Sequence, residues 1–134
     1  MFGDMDVKNE FAIKKILHAS IIVSNTELSL EFYRDILGLS VDHSRPNLGF
    51  PGAFINVTEN QQIHLLELSN PDPVKNRPDH AGRDRHIAFS VSNLGELEKI
   101  LIKNKILFTR SKSGRSALFT RDPDGNGLEF IEEI

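Results

Sequence analysis

The chain has 134 residues, 39% hydrophobic and 26% charged, which suits one domain large enough to bury a core without staples. It has no cysteine, so disulfides, thiolate zinc sites and a cysteine nucleophile are excluded, in keeping with a reducing, cytoplasmic setting. A net charge of −3 without runs of like charge offers no general attraction to nucleic acid or an anionic membrane.

Residues 1–15 are polar and charged, with no long apolar run. They read as a flexible leader rather than a signal peptide or membrane span. Residues 18–25, His-Ala-Ser-Ile-Ile-Val-Ser-Asn, read as a strand running into a turn. A helical stripe follows, carried by Leu28, Phe32, Tyr33, Ile36 and Leu37. Ser24 and Glu27 have capping-box spacing, and Gly38 suits the left-handed position that ends a helix. Strand-like runs cover 39–41, 53–57 and 62–68, with Thr58-Glu59-Asn60-Gln61 turning between the last two. Residues 69–82 contain Pro71, Pro73 and Pro78 and form a polar connector.

The pattern then starts again. Residues 86–93, His-Ile-Ala-Phe-Ser-Val-Ser-Asn, repeat His, Val, Ser and Asn 68 positions on. Leu94, Leu97, Ile100 and Leu101 form a second stripe, capped by Asn93 or Ser92. Strands are expected over 106–110, 116–120 and 128–131, the last two joined by Asp122-Pro123-Asp124-Gly125-Asn126-Gly127. The predicted fold is α+β: two tandem βαβββ modules, 16–68 and 83–134, forming a curved mixed sheet around a metal-binding cavity.

The repeat selects candidate ligands. His18 and His86 open the first strand of each module, while His64 and Glu129 lie in the last. Phe54 precedes His64 by ten residues and Phe119 precedes Glu129 by ten, each in the strand hairpinned to the ligand strand. A pseudo-twofold between modules is expected to bring the four donors to one point, where three imidazoles and a carboxylate suit one divalent Fe, Mn, Ni, Co or Zn ion. Glu67 and Glu132 have the wrong parity to share the face of His64 and Glu129. Glu133 has the right parity but lies close to the C-terminus, and His43 and His80 are expected at the surface. The same parity makes Phe54, Asn56, Ala117 and Phe119 cavity walls, with Arg115 at the mouth to hold a substrate carboxylate or phosphate. Arg77, Arg83 and Arg85, near the connector, are further candidates for that role.

The stretches Leu17-His18, Phe32-Tyr33-Arg34-Asp35-Ile36-Leu37-Gly38-Leu39, Arg85-His86-Ile87-Ala88-Phe89-Ser90-Val91 and Arg121 to Phe130 carry a resemblance. Through them the chain resembles the vicinal oxygen chelate superfamily, which includes glyoxalase I, extradiol dioxygenases, fosfomycin-resistance transferases and bleomycin-resistance proteins. The resemblance implies metal ligands at His18, His86 and Glu129. It implies a fourth at His64, where glyoxalase I usually has Glu; in dioxygenases and fosfomycin enzymes His64 would face the substrate instead. It further implies a homodimer and a small-molecule substrate chelated through vicinal oxygens. The leading expectation is lactoylglutathione lyase-like isomerisation, with Glu129 or His64 moving the proton. The alternatives are an Fe(II) extradiol-type dioxygenase and a non-catalytic drug-binding protein.

Overall fold

The computed structural model describes residues 10–133. The leader expected over 1–15 therefore lies largely outside the described residues. The first module runs β1 (His18–Val23), α1 (Thr26–Leu30), a π-helical turn (Glu31–Ile36), β2 (Ser40–Asp42), β3 (Gly52–Thr58) and β4 (Gln61–Glu67). After the connector and a short 3₁₀ turn (Ala81–Arg83) come β5 (His86–Val91), α2 (Leu94–Lys103), β6 (Phe108–Arg110), β7 (Ala117–Arg121) and β8 (Gly127–Glu132). The two modules have equivalent strand orders, β1-β4-β3-β2 and β5-β8-β7-β6, with the outer pair parallel in each. The expected α+β pair of βαβββ modules is found, as two four-stranded mixed sheets rather than one continuous sheet.

Period-two alternation decides what each strand buries. Ala53, Ile55, Ile63, Leu65 and Val23 point to the helix side of the first sheet, and Leu118, Leu128 and Phe130 do so in the second. A fully buried leucine such as Leu65 or Leu118 contributes about 1.5–3 kcal/mol relative to an exposed one. Glu67 and Glu132 also turn to that side, as their parity requires. Glu67 Oε1 accepts the Thr26 N–H at 2.8 Å and the Thr26 hydroxyl at 3.0 Å. Glu132 Oε1 accepts the Leu94 N–H at 2.9 Å. Each carboxylate thus serves the N-terminus of its own module's helix, where free N–H groups and the helix dipole favour negative charge.

The helices differ from expectation in detail. Asn25, not Ser24, caps α1, accepting the Leu28 N–H at 3.1 Å, and the Ser24 N–H donates instead to Asp124 Oδ1 at 3.0 Å. Asn93 caps α2, accepting the Glu96 N–H at 3.0 Å. The first helix widens after Leu30: the Leu37 N–H reaches back five residues to the Phe32 carbonyl at 2.9 Å. The wider turn changes the phase of the stripe, so Leu30, Phe32 and Tyr33 are buried while Leu28 is 51% exposed. Gly38 then takes the left-handed conformation at φ +79°, as expected.

The turn 122–127 joins the modules. Asp122 Oδ2 accepts the Tyr33 hydroxyl at 2.7 Å, and Asn126 Nδ2 donates to the Ile22 carbonyl at 3.2 Å. Asp122 Oδ1 also receives the Asp124 and Asn126 N–H groups, each at 2.9 Å. Burial pushes both the Asp122 carboxyl and the Tyr33 phenol above their usual pKa values, and the adjacent carboxylate raises Tyr33 further. Among the described residues β1 and β5 each pair with one strand only, and a cleft of about 310 Å³ separates their open edges.

Candidate metal and substrate site

The outward face of the first sheet carries His18, His64 and Phe54. Ser20 and Phe54 flank His64 across the ladders, and His18 stands two residues before Ser20. The register produces a stack of three rings: His64 lies 3.8 Å from His18 and 3.6 Å from Phe54 by ring centroids. Gln62 sits beside it. The Gln62 amide nitrogen donates to Asp42 Oδ2 at 2.9 Å and Asn56 Oδ1 at 3.0 Å. Its carbonyl oxygen therefore faces His64 Nε2, at 2.8 Å. A carbonyl only accepts, so Nε2 carries the hydrogen and Nδ1 keeps its lone pair. Hydrogen bonds from Ser44 and Gln62 hold Asp42 down at about 2. Burial lowers the His64 pKa, and positive charge on His18 and Arg45 lowers it further.

The second sheet presents His86 and Glu129 on its equivalent face. His86 Nδ1 lies 2.8 Å from the Asp84 carbonyl oxygen, so Nδ1 carries the hydrogen. In the neutral ring, Nε2 is left with a lone pair 3.1 Å from Glu129 Oε1, another lone-pair atom. Either a proton on Nε2 or a shared metal cation would turn this repulsion into attraction. Glu129 is 5% exposed, and its other oxygen accepts Arg115 Nη2 at 2.8 Å. Asp84 is itself pinned, accepting Arg77 at 2.6 and 2.9 Å and Arg121 at 2.9 Å, which holds its carboxyl well below the usual range. Such support of the backbone that orients a histidine is common around metal ligands.

The four candidates, expected at one point, stand as two groups, one on each sheet. The single chain brings His18 to His64 and His86 to Glu129. Among the described residues no group of three or more His, Cys, Asp or Glu side chains is placed to hold a metal ion. The single-chain convergence of four donors is therefore not what this chain forms by itself. The reason lies in the packing: the modules are joined through the 122–127 turn, a cleft separates the open edges of β1 and β5, and each group of candidates stays on its own sheet.

Of the expected walls, Phe119 and Ala117 are buried beside Glu129, and Asn56 is committed to Ser40 and Gln62. Arg115 reaches Glu129 rather than standing free. His80 is not at the surface: half-buried, it bonds Thr109 Oγ1 through Nδ1 at 2.8 Å and meets the Phe119 ring edge-on at 4.7 Å. Phe119 also lines a groove of about 730 Å³ with Ala81, Leu107, Phe108 and Thr109, within the usual size range for small-molecule sites. Arg77 is taken by Asp84, and Arg85 pairs with Asp72 at 2.9 Å. One nearby guanidinium was not anticipated: Arg45, on the 43–51 loop, lies 5.9 Å from the Phe54 ring. That loop has no hydrophobic period, and it is longer than its counterpart between β6 and β7, so nothing local points to it.

A model of the Glyoxalase/Bleomycin resistance protein/Dioxygenase superfamily matches residues 15–130, and the chain belongs to that family. It is 27% identical over 130 residues to "Glyoxylase I 4" of Arabidopsis thaliana, covering 93% of this chain and 74% of that protein. To the lactoylglutathione lyase of Neisseria meningitidis serogroup A it is 29% identical over 126 residues, covering 89% and 91% of the two chains. The crystal structure of a glyoxalase/dioxygenase from Nostoc punctiforme superposes with a TM-score of 0.73 at 23% identity, covering 96% of this chain and 99% of that one, a likeness of fold. No helix among the described residues is long and apolar enough to cross a membrane.

Proposed function

We propose that this chain is a divalent-metal-dependent isomerase of glyoxalase type, acting on a small substrate that presents two adjacent oxygens. The observation that carries it is the His86–Glu129 pair. His86 Nε2 faces Glu129 Oε1 at 3.1 Å while the far nitrogen of the ring is committed to a carbonyl, so in the neutral ring a nitrogen lone pair and a carboxylate oxygen point at one place. His64 is held in the same way, its Nε2 hydrogen given to Gln62 and its Nδ1 left free. Three imidazoles and a carboxylate are a chemically fitting donor set. Since the two pairs stand apart in one chain, the reading is a homodimer in which His18 and His64 of one protomer complete the site begun by His86 and Glu129 of the other.

When bound, the ion supplies Lewis acidity toward the two substrate oxygens and stabilises negative charge developing on them. The chain's own residues do the rest. Glu129, in a low-dielectric setting, takes a proton from one substrate carbon and returns it to the neighbour. Arg115 gives that carboxylate a counter-charge before substrate arrives. Phe54 and Phe119 exclude water on either side. A second reading has support in the ring stack: His64, covered by His18 and Phe54, faces the substrate, and His18, His86 and Glu129 alone hold iron in a dioxygenase.

Metal content and lactoylglutathione formation from its hemithioacetal precursor test this together. About one equivalent of nickel, cobalt or zinc per chain, lost in His86→Ala, is expected; iron in its place favours the dioxygenase. Mixing inactive His64→Ala and His86→Ala chains is expected to restore about a quarter of wild-type activity, since half the dimers carry one intact site. A wild-type protein that holds no metal and cannot be loaded overturns the reading in favour of a binding protein.

A further inference from the structure

Among the described residues, Arg45 is the half-buried arginine that no carboxylate neutralises. Among the described residues Arg34, Arg77, Arg85, Arg110, Arg115 and Arg121 all form ion pairs with Asp or Glu, and Arg83 is exposed. Arg45 makes one hydrogen bond, from Nη2 to the Phe50 carbonyl at 2.9 Å, and its buried Nε has no partner. Its guanidinium lies 5.4 Å from the Phe50 ring and 5.9 Å from the Phe54 ring. Phe54 in turn stacks on His64. The seat is closely built: a Cβ on Gly52 would lie 3.0 Å from Arg45 Nη2 and 2.2 Å from the Leu65 carbonyl oxygen.

Withdrawing part of a guanidinium from water without a counter-ion is unfavourable, and the described residues offer none. Two aromatic rings nearby leave the charge in place but do not satisfy its donors. Nη1 makes no hydrogen bond and is not buried, so with the remaining Nη2 hydrogen it forms an open donor edge. Such an edge fits a planar carboxylate at two points. Between aromatic rings a flat group is accommodated better than a tetrahedral phosphate.

We propose that Arg45 is the anion anchor of the substrate site, selecting a ligand that carries a carboxylate on the His64 side of the first sheet. Calling that ligand the substrate rests on the proposed enzyme; the anchoring itself does not. The test is therefore made on chelator-treated, metal-free protein, so that either reading can fail alone. Benzoate and its neutral isostere benzamide are titrated against ¹⁵N-labelled wild type, Arg45→Met and Arg45→Lys, following backbone and Arg45 Nε resonances. Benzoate is expected to shift Phe50, Gly52, Phe54 and Arg45 Nε in the wild type, and benzamide to shift none of them. Arg45→Met is expected to bind benzoate at least tenfold more weakly. Arg45→Lys, which keeps the charge but not the fork, is expected to fall between. Equal binding by Arg45→Met, equal response to benzamide, or inorganic phosphate shifting the same resonances at lower concentration each overturns the proposal.

Discussion

Tyr33→Phe removes one oxygen from the join between the modules. The lost bond is a 2.7 Å contact from a buried hydroxyl to Asp122, itself 5% exposed. A hydrogen bond to a charged group contributes about 1.5–3 kcal/mol, and Asp122 keeps its other donors from Asp124 and Asn126, so about 2 kcal/mol is expected. A chain of this length unfolds with an entropy of about 0.28 kcal/mol/K, so the melting temperature falls by roughly 7 °C at pH 7. The cost also depends on pH. Burial raises the folded-state pKa of Asp122 above its unfolded value, so ionised Asp122 costs the native state stability at neutral pH. As pH falls through the folded pKa, the native state takes up the proton first and that cost is relieved. The Tyr33 bond is worth most to the ionised form, so the wild-type-minus-mutant difference shrinks over the same window. Thermal melts of both proteins from pH 7 down to 4 measure it. A shift below about 2 °C at pH 7, or a difference that does not change with pH, refutes the reasoning.

Asp84→Ala frees Arg77 and Arg121 and loosens the backbone that holds His86 Nδ1. Metal affinity by calorimetry is expected to drop about 10–100-fold with the fold retained, and unchanged affinity would show that Asp84 does not orient the ligand. Asp42, held down at about 2 against an ordinary 3.8, lends stability that is fully present above about pH 4 and is lost as pH falls through about 2. Denaturant melts of Asp42→Asn and wild type are therefore expected to differ at pH 6 and to converge near pH 2; parallel curves would contradict the assignment.

Both modules were legible in the sequence because they rest on local rules. Alternation along a strand decided that His64 and Glu129 face away from the helices while Glu67 and Glu132 face toward them, and the helix caps at Thr26 and Leu94 use those two carboxylates. Register confirms the ten-residue Phe54–His64 and Phe119–Glu129 spacings as direct cross-strand pairs. Other features depend on groups distant in sequence. The widened turn that exposes Leu28 follows from backbone hydrogen bonding that no side-chain period reports. His80 and Arg45 lie in irregular loops, and only the completed sheets bring them against Phe119 and Phe54. The sequence by itself determined the repeat and the faces of its strands, since both follow from the two-residue period of a β-strand. Only the tertiary structure decided that the four candidate ligands stand as two separate groups, since the way the modules join, through Tyr33–Asp122 and Asn126–Ile22, is set by contacts far apart in the chain.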